Sequence, residues 1–366
     1  MHQKSIHLIA AARPNFMKIA PLFHALKTTD WAKTAIVHTG QHYDYNMSGA
    51  FFDELGLPKP DFHLEVGSGS HAEQTGGVMI AYEKICQEHR PDCVVVVGDV
   101  NSTLACALVA TKLHIPCVHL ESGLRSNDRT MPEEVNRLAT DAIADLLWTP
   151  SPDADDNLRD EGAADHRVER IGNIMIDSIE LLRDKIEAAS LPDAVPTDSG
   201  YALVTLHRPS NVDEAAPLGK IVETMVSIAE RIPLVFVAHP RTMARLKNFG
   251  LLDNIDNCEG IRLFEPAPYI TFMRLVMGSK LIITDSGGLQ EESTYLGIPC
   301  LTLRPNTERP ITITEGTNVL VTPQTLEDKV DAAMNGANQG TGKPPEMWDG
   351  KTAYRAVDSL KRFLSA

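Results

Sequence analysis

Short apolar runs alternate with longer helix-patterned stretches along almost the whole chain, and this alternation narrows the choice of fold more than any other feature. Residues 6–10, 34–39, 93–97, 116–120, 146–149 and 167–171 read as strands in the first half. Residues 202–206, 234–237, 261–264, 281–284, 300–303 and 318–321 read as strands in the second. Helical stretches such as 102–113, 133–144, 215–230 and 288–296 separate many of them. A strand–helix rhythm of this kind predicts an α/β protein whose parallel sheets are covered by helices on both faces. A polar, strand-poor segment at 189–200 divides the rhythm into two sets, and 366 residues suffice for two cores. The expected architecture is therefore two Rossmann-like domains with a cleft between them, residues 1–185 and 186–350. A terminal helix at 351–366 is expected to pack back on the first domain.

Composition excludes several function classes. A net charge of −15 argues against nucleic acid or an anionic membrane as the main partner, because both need a basic footprint. No window approaches the length of apolar chain that spans a bilayer, and the N-terminus has too short an apolar run for a signal peptide. The six cysteines (86, 93, 106, 117, 258 and 300) lack CxxC spacing, so they read as reduced thiols of a cytoplasmic protein. The histidines show no ligand spacing around which a metal site is expected. There is no GxGxxG after the first strand, no GxxxxGK[ST] and no GxSxG, so neither NAD, P-loop nor serine-hydrolase chemistry is indicated.

One turn carries a positive signal. LIITDSGGLQEE, 281–292, is a buried strand that runs through Asp285, Ser286, Gly287 and Gly288 into helix-forming sequence. Free N–H groups at such a helix start bind phosphate, and glycine lets it approach closely. Glu291 and Glu292 behind the turn are suited to sugar hydroxyls, so a nucleotide sugar held by its diphosphate fits the segment. Other unusual polar residues also fall at strand ends, where ligands of open parallel sheets bind. They are Arg13, His38, Gln41, His42, Asp99 and Glu121 in the first half, and His207, Arg208, His239 and Asp285 in the second.

Each of these has a plainer alternative. Asp99 lies just before a helix start and is placed to cap it. Pro132, Glu133 and Glu134 make a good first helical turn, with Glu133 spaced to pair with Arg137 at i+4. His207 and His239 are candidates for core histidines, and Lys18 for a solvated lysine. Glu121 is harder to dismiss, since an ionised carboxylate ending an apolar strand is costly unless paired or used.

Together the motifs resemble those of the non-hydrolysing UDP-N-acetylglucosamine 2-epimerases. The matching blocks are ARPNFMK from Ala12, TGQH from Thr39, GDVNSTLA from Gly98 and HLESGLRSNDRTMPEEVNR from His119. IGNIMID from Ile171, LHRPSN from Leu206, HPRT from His239, TDSGGLQEE from Thr284 and RPNTERP from Arg304 follow in order. The resemblance implies the glycosyltransferase-B arrangement of the two domains, no cofactor, a homodimer, and isomerase activity between UDP-GlcNAc and UDP-ManNAc. In the family UDP is eliminated across C1–C2 to give a 2-acetamidoglucal, then re-added after reprotonation on the other face. Carried over by position, Asp99, Glu121 and Glu133 are the acid/base carboxylates, and His207 assists UDP departure. Arg13 and Lys18 face the substrate phosphate, Ser286, Gly287 and Gly288 hold the diphosphate, and Glu292 holds the ribose. His239 and Arg309 join the UDP-binding set.

The chain also departs from the family pattern. Pro209 stands where many bacterial members carry an arginine linked to allosteric UDP-GlcNAc binding, leaving Gln41 and His42 as a possible remnant of that site. Met131-Pro132 replaces an aromatic-Pro, and ERPITITEG replaces the more usual RPE continuation. These departures keep open a 2-epimerase for a 2,3-diacetamido uronic acid nucleotide; a glycosyltransferase of the same fold is the other alternative.

Overall fold

The computed structural model describes residues 3–11, 13–40, 52–336 and 343–365. It divides into two compact units, residues 1–181 with 346–366 and residues 182–345. The dividing point falls within the helix Ile174–Ala188, a few residues before the boundary expected at 185.

The first unit holds a parallel sheet of seven strands: β1 (Lys4–Ala10), β2 (Ala32–Gly40), β3 (Phe62–Val66), β4 (Cys93–Val97), β5 (Cys117–Leu120), β6 (Leu146–Thr149) and β7 (Val168–Arg170). Their spatial order is β3-β2-β1-β4-β5-β6-β7, so strand order reverses beside β1 and β4. Sequence explains the centre of the sheet. β4 is CVVVV and buried at every position, as β-branched residues are when helices cover both faces. The edge strand β3, absent from the sequence reading, alternates Phe62, Leu64 and Val66 with His63 and Glu65 and is only partly buried.

The terminal helix Thr352–Phe363 belongs to the first unit. It is tied there by Trp148 Nε1, which donates to Ser359 Oγ at 2.8 Å. Its first N–H groups have no cap in their own segment; Thr352 N and Ala353 N donate instead to the carboxylate of Asp177, at 3.1 and 2.7 Å.

The second unit repeats the plan with β8 (Ala202–Thr205), β9 (Leu234–Val237), β10 (Ile261–Phe264), β11 (Leu281–Thr284), β12 (Cys300–Leu303) and β13 (Asn318–Val321). Their order is β10-β9-β8-β11-β12-β13, with the reversal beside β8 and β11. Among the described residues no helix is long and apolar enough to cross a membrane.

Candidate functional site

In the first unit the residues marked by the sequence gather at the carboxyl ends of β1, β4 and β5. The helix Arg13–Lys27 leaves β1 and brings Asn15 and Lys18 over the sheet edge. Asn15 Nδ2 donates to Val97 O at 3.1 Å, which fastens that helix to the end of β4. Lys18 is buried, and its Nζ pairs directly with Glu121 Oε2. The plain reading of a solvated lysine therefore does not hold. Glu121 adopts φ 71°, unusual for a residue with a side chain and worth of order 1–3 kcal/mol of strain. Gly98 sits beside the pair at φ 66°; a Cβ there would stand 3.2 Å from Lys18 Nζ and 3.4 Å from Glu121 Oε2. Glycine is thus favoured at 98 by backbone conformation, and the ion pair leaves little room for a side chain.

Asp99 is half-buried and does not cap the following helix, whose N-cap position is Val100 with no side-chain cap. Its carboxylate is held by Arg137, through Nε at 3.0 Å and the terminal nitrogen at 2.8 Å. The i+4 pair expected between Glu133 and Arg137 is not formed. Arg137 pairs instead with Glu134 at i+3 and with Asp99, because both carboxylates lie on its buried side while Glu133 is exposed.

Three residues stand on one face of the helix Pro132–Ile143: Glu134 and Arg137, which the sequence marked only as helix-stabilising, and Asp141, which it passed over, at i, i+3 and i+7. Glu134 accepts from Ser126 N, Ser126 Oγ and Asn127 N at 2.9–3.1 Å. Burial pushes its carboxyl up, yet those donors and Arg137 hold it below its ordinary value. Asp141 accepts from Gly123 N at 3.0 Å and pairs with Arg125 at 2.7 Å. It also meets His119 Nδ1 at 2.5 Å, while His119 Nε2 lies 2.8 Å from Gly98 O. The periodicity of these acids and bases was readable; the loops they reach were not.

In the second unit Asp285, fully buried at the end of β11, organises the β8 loop. It accepts from His207 N, Arg208 N and Asn211 Nδ2 at 2.9–3.1 Å, and His207 Nδ1 lies 3.0 Å away. Burial raises the Asp285 carboxyl, but the contact with His207 and the other donors outweigh it and hold the group below its usual range. His207 is half-buried with its Nε2 directed away from Asp285, so it is no core histidine. His239 is exposed, caps the helix Pro240–Asn248 by accepting from Arg241 N at 3.2 Å, and lies 5.9 Å from the His207 ring.

The Ser-Gly-Gly turn opens the helix Gly287–Leu296. A Cβ on Gly287 would come within 2.9 Å of Glu308 Oε1 and 3.1 Å of Arg309 NH1, whereas one on Gly288 meets nothing within 4 Å. Packing thus demands the first glycine and leaves the second open to a ligand. The two acids behind the turn differ: Glu291 pairs with Arg309 at 2.8 Å, while Glu292 accepts from Tyr269 Oη at 3.0 Å. Arg309 is also paired with Glu308, itself held by buried Arg304, so its guanidinium belongs to a buried ion ladder behind the turn. Among the described residues no group of three or more potential ligands is placed to hold a metal ion. Gln41, His42 and the side chain of Arg13 lie outside the described residues.

Residues 24–363 match the family model described as UDP-N-acetylglucosamine 2-epimerase. The chain belongs to that family. A UDP-N-acetylglucosamine 2-epimerase of Methanocaldococcus jannaschii is 44% identical over 324 residues, covering 86% of this chain and 88% of the relative. A UDP-2,3-diacetamido-2,3-dideoxy-D-glucuronate 2-epimerase of Pseudomonas aeruginosa is 40% identical, with 86% and 87% covered. Among solved structures, the M. jannaschii epimerase crystallised with UDP-GlcNAc and UDP superposes with a TM-score of 0.86 at 40% identity, covering 98% of this chain and 99% of that one. Both family and fold expected from the 2-epimerase motifs are therefore established, and the protein is an isomerase-class enzyme of two α/β units.

Proposed function

We propose that this epimerase interconverts UDP-GlcNAc and UDP-ManNAc. The observation that carries the reading is the buried Lys18–Glu121 pair set against Gly98, where a carboxylate and a cation meet at the sheet edge. A base removes the C2 proton as the C1–O bond to UDP breaks, leaving the 2-acetamidoglucal; a proton returned to the opposite face of C2 and re-addition of UDP complete the inversion. The sequence consumes no electrons and returns every proton, so it calls for no redox cofactor. Asp99, Glu121 and Glu133 are the acid/base carboxylates of this reading: Glu121 is buried against Lys18, Asp99 is half-buried and held by Arg137, and Glu133 is exposed. His207, Lys18, Arg13 and the N–H groups at Ser286, Gly287 and Gly288 stabilise charge growing on the departing diphosphate. Glu292 receives the ribose hydroxyls, with His239 beside it in the nucleotide set. Arg309 supports the turn from behind through Glu291 and Glu308.

The similarity to the P. aeruginosa enzyme keeps a 2,3-diacetamido uronic acid nucleotide as the second substrate to try. Its free thiols fit a reducing cytoplasm, and a homodimer is the assembly the family resemblance implies, to be checked by light scattering. The deciding experiment incubates the enzyme with UDP-GlcNAc in D2O and follows the sugar by proton NMR. UDP-ManNAc signals with deuterium entering at C2, without an acceptor, are expected. Absence of exchange at C2 would sink the reading for this sugar, and sugar transfer to an added acceptor would move the protein to the transferases.

A further inference from the structure

We infer that His119 and Asp141, both buried, are positioning residues that set the separation of the two loops carrying Asp99 and Glu121; the inference rests on the epimerase reading of those carboxylates. His119 is fully buried in the middle of β5, and its ring bridges two loops without reaching the sheet edge. On one side Nε2 meets the carbonyl of Gly98, the residue before Asp99, at 2.8 Å. On the other, Nδ1 meets Asp141 at 2.5 Å, and the same carboxylate accepts from Gly123 N two residues after Glu121. Arg125 continues the chain outward, pairing with Asp141 at 2.7 Å and with Glu161 through two contacts of 2.7 and 2.8 Å.

Both ring nitrogens of His119 therefore face oxygen acceptors, since a peptide carbonyl offers no proton and Asp141 is surrounded by Gly123 N–H and a guanidinium. The inferred brace is the one in which the ring donates from each nitrogen, so that both contacts are filled. Glu161, Arg125 and Asp141 alternate in sign outward from the ring, with Arg125 and Asp141 buried and Glu161 exposed at the end of the chain. Its mechanical consequence is specific. Glu121 holds a left-handed backbone conformation that a residue with a side chain does not favour unaided; the ring fixes the carbonyl of Gly98, and the carboxylate behind it fixes Gly123, two residues beyond Glu121. Reaction geometry responds steeply to such bracing, because a displacement of about 1 Å at a reacting group can cost roughly 10²-fold in rate.

Two near-isosteres separate the contacts. His119→Gln places an amide N–H where Nε2 stands and keeps the Gly98 link, whereas His119→Asn keeps the Asp141 link and releases Gly98. For the intact enzyme turning over UDP-GlcNAc, His119→Asn is expected to lose about 10²-fold in kcat with KM within about threefold. His119→Gln should lose about tenfold, and Asp141→Asn should fall between them. UDP affinity, measured by calorimetry, should be unchanged in all three. Folded variants with parental kcat, or losses of kcat and KM that rise together with the loss of thermal stability, would overturn the proposal.

A readout that needs no turnover covers the case in which the sugar assignment itself fails. With ¹⁵N-labelled histidine, the His119 ring, identified by its absence from the His119→Gln spectrum, should show two protonated nitrogens. One bare ring nitrogen would overturn the double-donor arrangement even in an active enzyme. Two protonated nitrogens in a protein inert toward both nucleotide sugars would uphold the brace and reject the epimerase reading.

Discussion

At the scale of single residues, the first unit shows how closely the chemistry is wedged against the backbone. Gly98 has little spare volume, since a Cβ there would stand 3.2 Å from Lys18 Nζ and the ion pair would have to give by a few tenths of an ångström. Gly98→Ala adds a positive-φ penalty of about 1 kcal/mol to that displacement. The variant should fold, melt a few degrees lower and lose most C2 exchange, with UDP affinity intact. Asp99→Asn and Glu121→Gln make a sharper test. Each should abolish turnover while UDP affinity survives, and loss of UDP binding in either would mark the residue as ligand-holding or structural. Much of this was legible in the sequence, because a carboxylate that ends an apolar strand must be paired or used. Lys18 as the partner of Glu121 was not legible, since 103 residues separate them and only the fold closes the distance.

Elements reveal a different limit. The strands of both sheet centres were readable from runs such as CVVVV, in which β-branched residues face helices on both sides. β3 escaped because an edge strand buries little and carries His63 and Glu65 among its apolar positions. The helix Pro132–Ile143 was read as a helix but mispaired: Glu133 and Arg137 have the right spacing, but buried Glu134 and half-buried Asp99 from a strand end outcompete an exposed glutamate for the guanidinium. Local spacing offers an interaction worth a few tenths of a kcal/mol, which any buried tertiary partner exceeds. Asp177, the last residue of the IGNIMID block, illustrates the same point: it caps the terminal helix from a distant segment. Asp177→Ala should cost about 1–2 kcal/mol, in the range of a lost N-cap. A denaturant midpoint unchanged by the substitution would show that the terminal helix is held by Trp148 and its apolar face alone.

For the whole molecule, the buried groups divide acid sensitivity into two windows. His7 lies in β1 within hydrogen-bond reach of Tyr82 Oη at 3.1 Å, and burial, helped by nearby His89, lowers its pKa from 6.5 to about 4. A lowered folded-state value means that the unfolded chain takes up a proton the native state refuses. Stability is then complete above pH 6.5 and falls between 6.5 and 4, by about 3 kcal/mol at about 1.4 kcal/mol per pH unit. Glu134, Asp141, Asp285 and Glu308 are also held below their ordinary carboxylate values, each by partners that outweigh its burial. Their share persists above the unfolded carboxylate range and disappears only as pH falls through it. Asp153 and Asp177, pushed up by burial, work in the opposite direction and at higher pH, adding stability as pH falls from their raised values toward the ordinary carboxylate value. The two windows are therefore separable by one substitution. His7→Gln keeps a polar partner for Tyr82 but does not titrate, so the parent should lose about 3 kcal/mol more than the variant between pH 7 and pH 4. Denaturant unfolding of the first unit at pH 7, 5.5 and 4 measures this difference. Parallel curves for the two proteins would assign the upper window to other histidines, whereas convergence toward pH 4 would place it on a single buried ring in the strand beside which Lys18 and Glu121 meet.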